Sequence, residues 1–261
     1  MIGKYILLGV AAAALLSSAS ANAAIYASGD SNIFTDTSNS NIFTAVAANQ
    51  RFLLNIAGSN VLIQGSATYG TSVGTSMGSY LTTQGITNSV LASGSTITAA
   101  DLAGRSLFVG FLPSDGYTVS ELAALSAFAA GGGSIILTGE NGSSLFTTSN
   151  GAINTALAAL GSTMRIGADA GGSGYQTATI LTASSITAGT TGFQYAAPSF
   201  VTGGTGLYGI VGGGAFIAYE GSTATPGVPE PATWAMMLLG FGGLGTVLRR
   251  RQAVNVRFRF A

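Results

Sequence analysis

Cysteine and histidine are missing from this 261-residue chain, and its single lysine, Lys4, lies at the extreme front. Those absences remove many chemistries at once. Without Cys there is no thiolate nucleophile and no disulfide. Without His there is no Ser-His-Asp triad and no imidazole to ligate a metal. Without an internal Lys there is no Schiff base, Ser-Lys dyad or phosphate-loop lysine. No catalytic residue, metal or cofactor is assigned on these grounds. The fold must rest on its apolar core, which 47% hydrophobic residues can supply.

Charge is also scarce. Only 7% of residues are charged, against about 25% in a typical soluble domain. The formal net charge of zero hides a strong segregation. Lys4 precedes the body, and Arg249, Arg250, Arg251, Arg257 and Arg259 follow it. Between residues 24 and 228 the only basic residues are Arg51, Arg105 and Arg165, against eight acids: Asp30, Asp36, Asp101, Asp115, Glu121, Glu140, Asp169 and Glu220. A body that acidic cannot neutralise a row of phosphates, which excludes nucleic acid as a partner.

Both ends carry transport signals. Lys4, an apolar run from Tyr5 to Leu16 and a small-residue stretch ending Ala21-Asn22-Ala23 follow the order of a secretory leader, with cleavage expected after Ala23. The Sec translocon and signal peptidase are the expected partners there. At the back, a linker over 221–228 leads into Pro229-Glu230-Pro231. An uncharged stretch over 232–248 follows, then Arg249-Arg250-Arg251 and a basic tail over 252–261. Seventeen helical residues at ~1.5 Å each span roughly 26 Å, enough for a bilayer core. Trp234 sits at the interface position, and the Arg cluster orients the body outward.

Pro229, Glu230, Pro231, Trp234, Ala235 and the Arg cluster together resemble the PEP-CTERM sorting signal in its Pro-Glu-Pro-x-x-Trp-Ala form. The resemblance implies transient retention in the inner membrane and processing by an exosortase, an integral-membrane protease. It also implies a Gram-negative, exopolysaccharide-producing cell, with delivery to the surface or extracellular matrix. It covers only about the last tenth of the chain.

The body over 44–220 reads as α/β, with residues 24–43 as a polar mature N-terminus. Thr44 is placed to cap a helix reaching Ala57. Apolar runs at Val61-Leu62-Ile63 and from Leu107 to Leu112 read as buried strands. Thr98 to Asp101 reads as a capped turn. Thr118-Val119-Ser120-Glu121 is a capping box, opening a helix whose apolar face is Val119, Leu122, Leu125 and Phe128 or Ala129. Gly131-Gly132-Gly133 ends that helix before a strand at 134–138. Strand, helix, strand within about 30 residues is a βαβ unit and requires a parallel sheet. Late, Gly-separated strands include a hairpin across Gly212-Gly213-Gly214.

The unit running from Leu107 through Glu121-Leu122-Ala123-Ala124-Leu125 to Gly139-Glu140 resembles the class I glutamine-amidotransferase-like fold. The resemblance implies a three-layer, flavodoxin-like, mainly parallel sheet. Active members carry a Cys nucleophile and a His partner, residue types this chain lacks.

Ligands of open α/β sheets bind beyond the carboxyl ends of the strands. That rule selects the loops at Ser114-Asp115-Gly116 and at Gly139-Glu140-Asn141. Asp115, Glu140 and Asn141 are therefore the candidate ligand residues, beside the plainer alternative that they only shape turns. Two carboxylates could act on a sugar. Asp30, Asn32, Asp36 and Ser38 offer oxygens to calcium without the EF-hand pattern. Tyr175, Tyr195, Tyr208 and Tyr219 suggest a carbohydrate-stacking face or half-buried strand positions. The expected function is a non-catalytic surface or matrix protein associated with exopolysaccharide or biofilm. The alternatives are a carboxylate-based glycan enzyme and a calcium- or carbohydrate-binding module.

Overall fold

The structure is a computed structural model and describes residues 23–35, 43–65, 71–92, 94–113, 115–172 and 174–221. Its contacts divide the chain into Met1–Thr223 and Ala224–Ala261. The second unit, with the sorting segment, the expected membrane helix over 232–248 and the basic tail, lies outside the described residues. Among the described residues no helix is long and apolar enough to cross a membrane.

The elements in chain order are β1 (Ala24–Ser28), α1 (Ala47–Ala57), β2 (Asn60–Gln64), α2 (Thr71–Thr83), β3 (Thr87–Leu91) and α3 (Ala99–Leu102). Then come β4 (Leu107–Phe111), α4 (Val119–Ala130), β5 (Ser134–Thr138), α5 (Thr147–Ala159), β6 (Arg165–Asp169) and β7 (Tyr175–Thr177). The last are β8 (Thr179–Ile180), β9 (Gln194–Ala196), β10 (Ser199–Thr202), β11 (Thr205–Gly209) and β12 (Ala215–Gly221).

Eight strands form one sheet in the order β3-β2-β4-β5-β1-β12-β11-β8. The pairs from β3 across to β1 are all parallel, and those from β1 to β8 are all antiparallel. The body is thus mixed α/β around a large, mostly parallel central sheet. β2, β4 and β5 are short apolar runs because both of their faces are covered, whereas the edge strand β3 is polar and half exposed. Alternation sends Val61, Ile63, Leu107, Val109 and Ile136 into one core with α1 and α2. Leu62, Phe108, Ile135 and Leu137 point into the other core, with α3, α4 and α5. Connections running toward β3 cross the first face and those running back cross the second, so all share one hand, as parallel crossovers require.

An aromatic group fills the first core where β11 and β12 join it. Phe193 stacks on Tyr208 with ring centroids 4.0 Å apart, and Phe52 meets Tyr208 edge-on at 5.6 Å. Tyr195 and Tyr208 are therefore core residues, and Tyr219 stacks on Tyr26. The four tyrosines do not form a carbohydrate face.

Three local expectations change. The segment taken as a polar N-terminus supplies β1, which is buried along its whole length between β5 and β12 and joins the parallel and antiparallel halves. Thr44 does not cap α1; that helix starts after Val46 with no side-chain cap. Val119 is 85% exposed, because it occupies the first turn of α4, ahead of the buried positions Leu125 and Ala129. The capping box of Thr118 with Glu121 is present, and the capped turn at Thr98 is itself a capping box with Asp101. The Gly-rich hairpin is present as β11 and β12.

Candidate functional site

β1 and β5 are parallel neighbours, and their last residues, Ser28 and Thr138, are register partners. Each strand leaves the sheet through the same three-residue pattern, Ser28-Gly29-Asp30 and Thr138-Gly139-Glu140. The glycines are forced by close approach. A Cβ on Gly29 would stand 2.1 Å from the Ser199 carbonyl oxygen, and one on Gly139 would stand 2.3 Å from Asn150 Oδ1. The Gly29 N–H donates to Phe216 O at 2.8 Å, and the Gly139 N–H to Ser28 O at 2.7 Å. Both chains are thereby held straight until they deliver their acids to one spot.

Asp30 is fully buried and Glu140 is 3% exposed. Glu140 Oε2 accepts from the Ser31 N–H at 3.3 Å, from the Ser31 hydroxyl and from Asn32 Nδ2 at 3.2 Å. Its Oε1 accepts from the Asn141 N–H at 3.0 Å and Asn141 Nδ2 at 3.3 Å. Asp30 Oδ1 accepts from the Asn32 N–H and Oδ2 from the Ala196 N–H, both at 2.8 Å. Asn150 exchanges two bonds with the Glu140 main chain, receiving its N–H at 3.0 Å and donating to its carbonyl at 2.8 Å. The Ser199 hydroxyl donates to that carbonyl at 3.0 Å. The acids thus lace together the exits of β1 and β5, the start of α5 and the β9–β10 segment.

Burial pushes the Glu140 carboxyl up to about 7; bonds from Ser31 and Asn141 oppose the rise, and Asp169 adds to it. Burial, then the charge of Glu140, drives Asp30 well above the usual carboxylate range despite its own N–H donors. Two acids desolvated side by side do not both ionise easily. Their oxygens are nonetheless committed to donors from the protein itself, and that arrangement holds chain segments together. Asp30 directs its oxygens at backbone N–H groups, and Asp36 and Ser38, which completed the calcium reading, lie outside the described residues.

Asp115 is not part of this group. It is exposed, and the acids that raise Glu140 and Asp30 are Asp169 and Glu140 itself. Asp115 lines a separate cleft of about 120 Å³ beyond the ends of β2 and β4. This is where the strand order reverses: β2 sends its helix to one face and β4 sends its helix to the other. Gln64, Thr96, Tyr117 and Glu121 also border it. Leu112, on the way from β4 into the cleft wall, adopts φ 46°, as Ala197 does at φ 49° beside the acid pair. These are the only two described non-glycine residues with positive φ, and such strain of about 1–3 kcal/mol gathers at functional or tightly held sites. A larger cavity of about 420 Å³ lies between α3 and α4 at the opposite end of the sheet. Its one charged group, Arg105, is already bonded to Asn60 Oδ1 at 2.6 Å and Asp101 O at 3.0 Å.

The sequence picked out Asp115, Glu140 and Asn141. The structure joins the last two and leaves the first apart. It missed Asp30 as the partner of Glu140, although the repeated hydroxyl-glycine-acid pattern at two strand ends was visible. Of the cleavage pair, Ala23 precedes β1 and Ala21 lies outside the described residues, as do all eight sorting residues.

The described region defines a mixed α/β body around a large, mostly parallel sheet. The PEP-CTERM protein-sorting motif matches residues 227–252, which marks an exosortase-sorted, exported protein directed to the cell surface. No curated protein and no solved structure gives a match.

Proposed function

We propose that this is a non-catalytic surface or extracellular-matrix protein. In this reading the tail holds the folded body at the inner membrane through a helix over 232–248 until an exosortase releases it, and the body then associates with exopolysaccharide. The match over residues 227–252 carries the reading. The leader over 1–23 and the outward orientation set by Arg249, Arg250 and Arg251 agree with it. The body itself is read as a flavodoxin-like sheet related to the class I glutamine-amidotransferase-like fold. In its support, β3-β2-β4-β5 repeats the 2-1-3-4 part of that strand order, with β1 in the fifth place. The Cys and His chemistry of that fold has no residues here.

The test is localisation of a tagged chain with and without residues 229–251. Surface delivery is expected only for the intact chain, and equal delivery of both forms contradicts the proposal. A second reading, a carboxylate-based glycan enzyme, draws on Glu140 being pushed to about 7, within the range of a general acid. Its oxygens are occupied by protein donors, which favours the non-catalytic reading. Turnover of the host exopolysaccharide that disappears in Glu140→Gln would reverse that preference.

A further inference from the structure

We propose that the cleft between the ends of β2 and β4 is a binding site for a neutral saccharide unit, with Asp115 and Gln64 as its principal polar contacts. The proposal rests on the exopolysaccharide reading above and deepens it by naming a site and a ligand class.

Size is the first constraint. At about 120 Å³ the cleft falls short of the roughly 300 Å³ typical of drug-sized or cofactor pockets. It suits one sugar ring of a longer chain and not a flavin or dinucleotide.

Charge is the second. A cleft at this place in a parallel sheet ordinarily attracts phosphate through a helix N-terminus. Here that position is filled from within. Glu121 Oε2 accepts the Thr118 N–H and hydroxyl, each at 2.8 Å, while Oε1 accepts the Ile97 N–H at 2.9 Å. Burial alone would raise this carboxyl, but those donors outweigh it and hold it below its ordinary value, so it stays charged at neutral pH. Among the described residues no Lys or Arg borders the cleft. An anionic ligand would meet Asp115 and Glu121 with nothing to offset them.

Hydrogen-bonding capacity is the third. Asp115 is exposed and presents a carboxylate, an acceptor matched to sugar hydroxyls. Gln64 donates one amide hydrogen to Ser95 O at 3.2 Å, and its amide oxygen has no partner among the described residues. Thr96 adds an exposed hydroxyl. Tyr117 also borders the cleft, but its hydroxyl is buried over Gly110 beside the second core and offers nothing to a ligand. The contrast with Glu140, whose oxygens take five donors, separates a carboxylate that holds structure from one held open.

The experiment uses the mature protein recovered from the producing cell, applied to immobilised dextran and galactomannan as neutral probes and to alginate as an anionic one. Asp115→Asn and Gln64→Ala are run beside the wild type, with surface delivery scored separately. Retention on a neutral polymer, at least tenfold weaker in both variants and absent on alginate, is the expected result. Asp115 is exposed and Asp115→Asn nearly isosteric, so that variant keeps the fold. No retention on either neutral polymer, undiminished retention of the variants, or preference for alginate overturns the site. Correct surface delivery with any of those results sinks the site and leaves the sorting reading intact, whereas failed delivery sinks the sorting reading alone.

Discussion

Two groups of acids sit at the same end of one sheet and meet opposite fates. At the β1 and β5 exits, Asp30 and Glu140 are buried and their oxygens filled by the protein's own donors. At the β2 and β4 exits, Asp115 stays exposed beside a cleft. Composition does not separate them, since both are carboxylates two to four residues past a strand. The surrounding chain does. Gly29 and Gly139 let neighbouring backbone and side chains close over the first pair. Leu112 and Pro113 turn the chain away from the sheet before Asp115 arrives. A carboxylate's role at a strand end is thus set by whether donors reach it first.

The sharpest way to break this comparison is at the glycines. Gly139→Ala drives a Cβ against Asn150 Oδ1 and to 2.6 Å from Ile166 Cδ1, and should cost about 3 kcal/mol or more in urea unfolding. Gly116→Ala, at the open exit, meets nothing within 4 Å but must keep φ 75°, and should cost only about 1 kcal/mol. Equal losses would erase the distinction between a closed exit and an open one.

A smaller effect sharpens the open side. Thr118→Ala removes the N-cap of α4 and one of the donors that occupy Glu121. It should lower stability by about 1 kcal/mol in the same unfolding assay. A loss as large as that of Gly139→Ala would mean that the cleft wall, too, is part of the structural lacing.

The βαβ unit from β4 to β5 was legible because every local signal agreed: apolar runs, a capping box, a triple-glycine stop. The fully buried face of α4 was less so. Val119 is apolar and correctly spaced, yet it opens the helix and stays exposed. β1 was hidden for a different reason. Ala24-Ile25-Tyr26-Ala27-Ser28 is short, Ala-containing and flush against the leader, and Ala is a poor strand former. Its place in the sheet is dictated by β5 and β12, far along the chain. The acid pair inherits the same difficulty, since Ser31 and Glu140 are separated by 109 residues. Glu140 was found as a loop residue, but its meaning depended on a strand that had not been recognised.

The most direct test of the division between the two acid groups is thermal unfolding across pH for the wild type, Glu140→Gln and Asp115→Asn. Glu140 has a folded value near 7, raised from 4.5, and Asp30 is raised as well. The folded state then holds protons that the unfolded state releases, so this contribution is complete below about pH 4.5 and is lost as pH rises through about 7. The wild type and Asp115→Asn should lose melting temperature together over that window, while Glu140→Gln should show a flatter profile. A flat wild-type profile, or a slope abolished by Asp115→Asn and untouched by Glu140→Gln, would contradict the account.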